Sequence, residues 1–387
     1  MAVYILAGAR TAFGSFLGQF SAVSAPRLGA TAIKAALEKA KVSGDQVGQV
    51  YMGNVIGAGL GQAPARQATI FAGLPESVPA TTVNKVCGSG LEAVILGARA
   101  ILAGDAQLVV AGGMENMSAA PHLMLGSRQG VKFGATELKD SMQWDGLWDV
   151  YSNRAMGNCA EECTKKYNMS RAEQDAFAIE SFKRAQAAVK EGLFKDEIAA
   201  VSVPAKGGSV DVTEDEGPFK ANFEKIPGLK PAFEKDGTIT AANASTINDG
   251  AAALVLGGDA YAAQAKYKIV AWASHAQHPT WFSTAPVGAI QKVLEKAKLK
   301  IEQVDAWEIN EAFAAVTMAA MKELSIPHEK VNKLGGAVAI GHPIGASGAR
   351  ILLTLTTALE KKGGKYGCAA ICIGGGEALA LVVEKVK

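Results

Sequence analysis

The sequence lacks a charge excess, a recognisable leader and a dinucleotide-binding fingerprint. Its 39 lysines and arginines face 37 aspartates and glutamates, so the net charge of +2 favours neither nucleic acid nor an anionic membrane as a partner. No secretory signal, Arg-rich presequence or apolar run of membrane-spanning length is recognisable, and the final Val386-Lys387 is not a peroxisomal address. The run from Gly57 to Gln62 lacks the third glycine of a dinucleotide-binding turn. We therefore expect no nucleic-acid partner and no membrane association.

Cysteine is scarce, and its count of five is odd. Without a secretory signal, unpaired thiols in a reducing compartment are the simplest interpretation. We expect a cytoplasmic protein, or a mitochondrial one if a transit peptide has been removed.

Glycine, by contrast, is abundant, at 43 of 387 residues. It follows no Gly-X-Y period, so it indicates many sharp turns and close backbone approaches. Apolar, β-branched runs alternate with Ala-rich helical stretches, which predicts an α/β fold with buried parallel strands. Besides a strand from residue 3, the pattern predicts strands at 48–53, 107–112, 268–272, 304–309, 368–373 and 378–384. It predicts helices at 27–40, 89–103, 286–297, 310–324 and 347–361, and Ser170 with Glu173 forms a capping box for a further helix that stops at Gly192.

An internal repeat relates the two ends of the chain. The matching segments fall at strand ends or helix starts: Val83-Asn84-Lys85 with Val331-Asn332-Lys333, Ser89-Gly90 with Ser347-Gly348, Gly112-Gly113 with Gly374-Gly375, and Asn54 with Asn310. The residues between them are richer in tryptophan, lysine and charged loops. We therefore predict a first half at 1–117 and 248–267, an inserted loop domain at 118–247, and a second half at 268–387.

Cys87 lies in Asn84-Lys85-Val86-Cys87-Gly88-Ser89-Gly90, directly before an apolar helical run. A helix N-terminus stabilises a thiolate, and the flanking glycines let a substrate and backbone N–H groups approach it. A small buried hydrophobic cysteine is the alternative. The Gly-Ser-Gly context favours a nucleophile.

Three further segments carry polar side chains beside glycine or a strand end. His342 lies in the glycine-rich run 335–348 and could serve a cysteine nucleophile as base, although a structural core histidine is the commoner case. Cys372 opens Cys372-Ile373-Gly374-Gly375-Gly376, where a buried structural cysteine is equally consistent with the residues. A second thiol at the mirrored position of the repeat instead suggests one site at the junction of the halves. Asn310 begins Asn-Glu-Ala-Phe at the carboxyl edge of a sheet, where side chains point into a crevice.

Together these four segments resemble the thiolase family, in its order and spacing, and the likeness covers residues 3 to 385. The resemblance implies two βαβαβαββ halves in a five-layered α-β-α-β-α core, with an inserted loop domain and a homo-oligomer, either tetramer or dimer. It implies Cys87 as the acylated nucleophile, His342 as its base and Cys372 as the acid/base at the substrate α-carbon. Asn310, through a water, would join His342 in one oxyanion hole, and the N–H groups of Cys87 and Gly374 would form the other. The expected reaction passes through a tetrahedral adduct and an enolate, both of which need such donors.

Two further segments, residues 241–250 and residues 145–149 with Met156-Gly157 after them, resemble those of the short-chain acetoacetyl-CoA thiolases. The resemblance implies acetyl-CoA, acetoacetyl-CoA and CoA as ligands, with no permanently bound cofactor and no metal. The residues that would contact CoA or the acyl group are Leu147, Met156, Ala241, Ser245, Phe282, Ala312 and Phe313. Bacterial relatives often have histidine where this chain has Ala155. Phe282 resembles the potassium-responsive mitochondrial type, but that type's tyrosine is missing near Pro218 and Phe219, so we predict no potassium dependence.

Other interpretations stay open. A 3-ketoacyl-CoA thiolase of broader chain length is the first alternative. A ketoacyl synthase would share the duplicated fold and the cysteine, but it pairs them with a second histidine or an asparagine where this chain has Cys372. A non-catalytic CoA-binding protein could keep the fold. A zinc site at Cys159 and Cys163 is disfavoured, because an i, i+4 pair without nearby histidine is typical of a helix core.

Overall fold

A large mixed sheet organises the chain. The computed structural model describes all residues, 1–387. The strands in chain order are β1 (Val3–Thr11), β2 (Gly14–Ser15), β3 (Gln49–Gly53), β4 (Ala80–Val83), β5 (Leu108–Asn116), β6 (His122–Leu123), β7 (Lys139–Asp140), β8 (Trp148–Asp149), β9 (Arg154–Ala155), β10 (Ile198–Ala199), β11 (Val201–Ala205), β12 (Gly208–Val212), β13 (Asn248–Gly257), β14 (Tyr267–Ala276), β15 (Ala306–Ile309), β16 (Tyr366–Ile373) and β17 (Glu377–Lys385).

Nine α-helices accompany the strands. They are α1 (Ala25–Ala40), α2 (Pro64–Phe71), α3 (Ser89–Ala103), α4 (Met156–Tyr167), α5 (Arg171–Lys190), α6 (Ala285–Ala297), α7 (Ala314–Leu324), α8 (Ala337–Ile340) and α9 (Ser347–Lys362). Short 3₁₀ turns lie at Gly44–Gln46, Ser127–Gln129, Phe223–Gly228, Asp259–Tyr261, Pro279–Thr284, Ile301–Gln303 and His328–Lys330, and a π turn lies at Met142–Gly146.

The sheet order is β15-β16-β17-β14-β1-β13-β5-β3-β4. Each half runs βαβαβαββ, and the halves meet where β1 pairs antiparallel with β14, with Val3 opposite Ile269. In the second half the strand that corresponds to β4 is reduced to a single bridge between Trp307 and Val331. The expected thiolase-like topology is therefore confirmed, with one strand of the second half nearly lost.

Helices α3 and α9 form the middle layer. Leu91 and Ile95 of α3 pack in one buried cluster with Ile351 and Leu355 of α9, and strands from both halves complete that cluster. Helices α1 and α2 cover the outer face of the first half, and α6 and α7 cover that of the second. The layers are thus α-β-α-β-α, as expected.

The two middle helices touch at their first turns. A Cβ atom added at Gly90 would lie 2.7 Å from the Ala349 nitrogen, and one at Gly348 would lie 2.4 Å from the Leu91 nitrogen. Real Cβ contacts of this kind do not occur, so both glycines are required by the close approach of two backbones.

Several predicted elements hold and several shift. The Ser170–Glu173 capping box is present, with Ser170 N–H donating to Glu173 Oε2 at 2.7 Å, and α5 ends two residues before Gly192. Helix α7 starts four residues later than predicted, because Asn310 N–H still donates to Ala370 O and Phe313 is extended. Strand β13 was not predicted, since its sequence is rich in alanine and glycine.

The segment Val86–Ala103 corrects one expectation. It is long and apolar enough to cross a membrane by length and composition, although no such run was recognised in the sequence. Of this window 61% is buried inside the protein. It is the core helix α3 with the turn before it.

The predicted inserted region, 118–247, contains α4, α5 and three short two-stranded sheets, and its strand β10 pairs with β1 of the large sheet. Strand β13 follows it and lies between β1 and β5, in the sheet of the first half. The exact boundaries stay a prediction.

Candidate active site

Cys87 lies in the loop between β4 and α3. Val86, directly before it, has φ +46°, a left-handed conformation that a β-branched residue rarely adopts. The turn is held by Ser89, whose Oγ accepts the Lys85 N–H at 2.8 Å and donates to Val86 O at 2.7 Å. Cys87 is thereby fixed at the start of α3, as predicted.

The charge state of this thiol differs from the expectation of a stabilised thiolate. Burial raises the pKa of Cys87 to about 11, while the backbone N–H groups of Gly374 and of Cys87 itself lower it. The loss of water on burial outweighs the stabilisation of the thiolate by the two N–H groups. The free site therefore holds a neutral thiol with two donors directed at its sulfur.

His342 is buried in the loop before α9, with 7% of its surface exposed. Its backbone N–H donates to Asn248 Oδ1 at 3.1 Å, and its Nδ1 contacts Ser347 Oγ. Because Ser347 Oγ donates to Pro343 O at 2.9 Å, it accepts a proton from Nδ1. Nε2 is then the basic nitrogen, and burial together with Arg350 lowers the pKa of His342 to about 3, so the ring is neutral.

Asn310 follows β15 and faces this histidine. Its Nδ2 lies 3.5 Å from His342 Nε2, and its buried Oδ1 has no hydrogen-bond partner. The next residue, Glu311, has a structural role, since its carboxylate accepts from Ser181 Oγ and Asn332 Nδ2, both at 2.7 Å. Asn310 thus has one amide oxygen free beside the base.

Cys372 lies at the end of β16 and is fully buried. Burial raises the pKa of Cys372 well above its usual value, and a thiolate at Cys87 would raise it further. The two sulfurs are therefore electrostatic neighbours, and all five cysteines are free thiols.

Contrary to the prediction from sequence, the internal repeat does not relate Cys87 to Cys372. Gly113 pairs with Gly53 across β3 and β5, and Ala370 pairs with Ile309 across β15 and β16. Since Asn54 follows Gly53 as Asn310 follows Ile309, Gly113 corresponds to Ala370. Cys372, two residues beyond Ala370, therefore corresponds to Glu115 and not to Cys87. The Gly112-Gly113 match with Gly374-Gly375 is likewise wrong. The counterpart of the Cys87 loop is the His342 loop, since each precedes a middle-layer helix.

A cavity of about 270 Å³ brings the predicted residues together. Its wall includes Cys87, His342 and Gly374. Six of the seven residues predicted to contact CoA or the acyl group also line it: Leu147, Met156, Ser245, Phe282, Ala312 and Phe313. Ala241 does not line the cavity and is exposed, while Asn310 and Cys372 lie behind its wall.

Aromatic rings close one side of the cavity. Phe313 makes edge-on contacts with Phe233 at 5.9 Å and with Phe282 at 6.2 Å between ring centroids. Ala155, the departure from bacterial relatives, is also in the wall. The remaining space beside Cys87 is small and mostly apolar.

Sequence reasoning missed several residues of the site. Met117, Gln143, Ile247 and Ile344 line the cavity, and Asn248 and Ser347 hold His342 in place. Ile344 and Ser347 stand in the glycine-rich run 335–348, which was a usable signal for both. Met117, Gln143, Ile247 and Asn248 lie outside the four motifs, and nothing in their local sequence marks them as site residues.

No group of three or more histidine, cysteine or acidic side chains is arranged to hold a metal ion. Cys159 and Cys163 are buried on α4, as expected for a helix core, and Cys159 lies 3.7 Å from Asp149 Oδ2.

Known proteins match the chain over its whole length. The family model for the thiolase N-terminal domain matches residues 3–259, and that for the thiolase C-terminal domain matches residues 263–385. An acetyl-CoA acetyltransferase of Yarrowia lipolytica is 51% identical, covering 100% of this chain and 97% of the relative. One from Cupriavidus necator is 50% identical, with 99% of each covered.

A solved structure is similar in fold. The thiolase of Ascaris suum in complex with coenzyme A superposes with a TM-score of 0.95 at 43% identity, with 100% of both chains covered. Sequence and fold agree, and the chain belongs to the thiolase family.

Proposed function

We propose that the protein is an acetyl-CoA C-acetyltransferase, which condenses two acetyl-CoA to acetoacetyl-CoA and CoA reversibly. The observation that carries the proposal is the cavity where Cys87, His342 and the Gly374 N–H meet, with Cys372 directly behind. The names of the Yarrowia lipolytica and Cupriavidus necator relatives support the same activity.

In the first half-reaction, His342 Nε2 accepts the Cys87 proton as the sulfur attacks the acetyl carbonyl carbon. A thiol with a pKa of about 11 and an imidazole with a pKa of about 3 do not exchange this proton at rest, so transfer accompanies attack. When the C–S bond to CoA breaks, Cys372 gives its proton to the leaving sulfur. The products are acetyl-Cys87, a protonated His342, a Cys372 thiolate and free CoA.

In the second half-reaction, the Cys372 thiolate removes an α-proton from the second acetyl-CoA. The resulting enolate attacks acetyl-Cys87, acetoacetyl-CoA leaves, and the Cys87 thiolate takes back the proton held by His342. Burial, the main cause of the raised pKa of Cys372, persists after Cys87 is acetylated. The buried thiolate is therefore a strong base, as a weakly acidic α-proton requires.

Two sets of donors would stabilise the negative oxygens. The N–H groups of Cys87 and Gly374 converge on the nucleophile and suit the tetrahedral adduct on it. Protonated His342 and a water held by Asn310 would serve the enolate of the second substrate, since Asn310 Oδ1 is buried without a partner. Each preorganised donor contributes on the order of 3 kcal/mol.

The other predicted residues would hold the substrate. Leu147, Met156 and Ser245 line the cavity along which the pantetheine arm would enter, and Phe282, Ala312 and Phe313 enclose the acyl end. Ala241 lies outside this cavity and would contact a more distant part of CoA. The aromatic closure favours a short acyl group, and a 3-ketoacyl-CoA thiolase of broader chain length is the alternative.

Properties beyond the site complete the proposal. We infer CoA thioesters as the only cofactor-like ligands, with no metal, no potassium requirement and no nucleic-acid or membrane partner. We infer a homotetramer, with a dimer as the alternative, in the cytoplasm. Relatives labelled mitochondrial, such as one from Xenopus laevis at 50% identity, support a mitochondrial location as the alternative.

The roles of the thiols are tested with acetyl-CoA labelled in its acetyl group. Cys87→Ala should take up no covalent label, whereas Cys372→Ala should become labelled and fail to condense. Cys368→Ala is the matched control, because Cys368 is a buried cysteine on the same strand outside the site. Labelling of Cys87→Ala, or full condensation by Cys372→Ala, would overturn the assignment. Comparing thiolysis of acetoacetyl-CoA with that of 3-ketohexadecanoyl-CoA decides the chain length.

A further inference from the structure

A buried carboxylate outside the cavity connects the two halves at the catalytic histidine loop. Glu115 lies near the end of β5, is fully buried, and has no place in the reaction above. Its Oε2 accepts the Gly345 N–H at 2.9 Å and the Val55 N–H at 3.0 Å. Its Oε1 accepts Asn54 Nδ2 at 2.7 Å and the Ile56 N–H at 3.2 Å.

One of these bonds crosses from the first half to the second. Gly345 belongs to the turn that begins at His342, in which Pro343 O accepts the N–H groups of Ala346 and Ser347. The turn is held near His342 by Asn248 and Ser347, and at its far end by Glu115. No other side chain in the structure accepts the Gly345 N–H.

The surrounding backbone leaves room for this bond. A Cβ atom at Gly113 would lie 2.0 Å from Gly345 O, and one at Gly53 would lie 2.7 Å from it. Ile344 packs with Val55 and Ile56, the two residues that Glu115 also binds, and Ile344 lines the cavity. Glu115, Val55, Ile56 and the histidine turn are therefore packed together as one unit.

In the internal repeat, Asn54 and Glu115 of the first half occupy the positions that Asn310 and Cys372 occupy in the second half. Asn54 follows β3 as Asn310 follows β15, and Glu115 corresponds to Cys372 by the strand register. In the second half the pair faces the reaction. In the first half it faces the loop of the opposite half.

We propose that Glu115, oriented by Asn54, is a positioning residue that fixes the His342 turn across the two halves. The inference rests on the proposed function, since it uses His342 as the base. In this proposal Glu115, a buried carboxylate of the first half, positions His342, the base of the second half.

The test compares Glu115→Gln, Glu115→Ala and the exchange variant Asn54→Asp/Glu115→Gln in the full-length protein. The amide nitrogen of Glu115→Gln would face two donors, Asn54 Nδ2 and the Ile56 N–H. In the exchange variant it donates to the new carboxylate at position 54, and only the longer contact with the Ile56 N–H stays unfavourable. Asp305→Asn is the matched control: Asp305 Oδ2 also accepts two backbone N–H groups, at 2.7 and 3.0 Å, at the opposite end of β15 and β16. The assay is acetoacetyl-CoA formation per titrated Cys87, with thermal unfolding alongside.

We expect both single variants to lose roughly 10- to 100-fold in kcat with KM for acetyl-CoA within about two-fold, since misplacing a catalytic group by about 1 Å costs up to about 100-fold. The exchange variant should recover part of the loss, and the control should keep kcat even if its melting temperature falls. Should Glu115→Ala fail to fold, Asn54→Ala, which leaves the carboxylate in place, should show a smaller loss of the same kind.

Unchanged kcat per titrated site in Glu115→Gln and Asn54→Ala would overturn the inference. So would a rise in KM with kcat retained, or no recovery in the exchange variant. Failure of the proposed function is distinguishable, because the wild-type protein would then form no acetoacetyl-CoA at all.

Discussion

Replacing Ser347 by alanine should disable the base without disturbing substrate binding. Ser347 Oγ is the acceptor for His342 Nδ1, and both side chains are buried. Without it the Nδ1–H has no partner, which costs about 1–3 kcal/mol. The ring can escape this cost by moving the proton to Nε2, where Asn310 can turn its unpartnered Oδ1 to accept it. That tautomer cannot take the Cys87 proton.

The magnitude follows from the same contacts. If the tautomer with its proton on Nδ1 is disfavoured by about 2 kcal/mol, roughly one histidine in 30 can still accept the Cys87 proton, because 1.4 kcal/mol is a factor of ten. We therefore expect kcat to fall about 30-fold, with the range of 5- to 150-fold set by a cost of about 1–3 kcal/mol. KM should change little, since Ser347 does not line the cavity.

The measurement is the burst of CoA released when acetyl-CoA acetylates Cys87, followed by steady-state condensation. Thr356→Ala is the control, because Thr356 is a buried hydroxyl on the same helix that donates only to Leu353 O, at 2.7 Å. It should lower stability and leave the burst rate unchanged. If Ser347→Ala kept the wild-type burst rate, or lost activity only by raising KM, the assignment of Nδ1 as the protonated nitrogen would be wrong.

Three further outcomes follow from the structure. Cys372→Ser should still acetylate Cys87, in a slower burst because the leaving sulfur loses its proton donor, but it should lose condensation because a hydroxyl cannot ionise to serve as the base. Equal loss of both steps would contradict the division of roles. Gly113→Ala should destabilise the protein by at least about 2 kcal/mol in chemical denaturation, since its Cβ would lie 2.0 Å from Gly345 O; an unchanged midpoint would refute the close packing there. Burial and Asp249 raise the pKa of Glu115 from 4.5 to about 7. Between these two pH values the native state therefore binds more protons than the unfolded chain. The stability that Glu115 contributes below this window is lost as the pH rises through it. The difference in unfolding free energy between the wild type and Glu115→Gln should therefore change between pH 5 and 8, and a constant difference would exclude this titration.

Much of the architecture could be predicted because the signals were local. The apolar runs, the glycine turns and the Ser170 capping box each depend on residues close in sequence, and they lie where predicted. Strand β13 escaped because its alanines and glycines carry no strand preference, and only its pairing with β1 and β5 on either side makes it a strand. The start of α7 escaped because the ladder bond from Asn310 N–H to Ala370 O overrides a helical pattern.

In the active site, too, the features that depend on local sequence were predictable and those that depend on the whole fold were not. The motifs gave the residues whose chemistry is particular, Cys87, His342, Asn310 and Cys372, and the fold brings them together. The charge of Cys87 could not be read from the sequence, since the helix terminus is a local feature whereas the burial that opposes it comes from the whole fold. The correspondence of Cys372 with Glu115 also needed the strand register, because glycine matches alone misaligned the repeat.

The close approach of helices α3 and α9, where Gly90 meets Ala349 and Gly348 meets Leu91, determines how much change the active site tolerates. The nucleophile precedes one middle helix and the base precedes the other, so the distance between them is fixed by two backbones in direct contact deep in the interior. Even one methyl group at that contact would spread the helices before it unfolded either half. Variants in the middle layer should therefore lose reactivity at temperatures where the protein is still folded, while the mobility of outer loops should leave the spacing of thiol and imidazole unaffected.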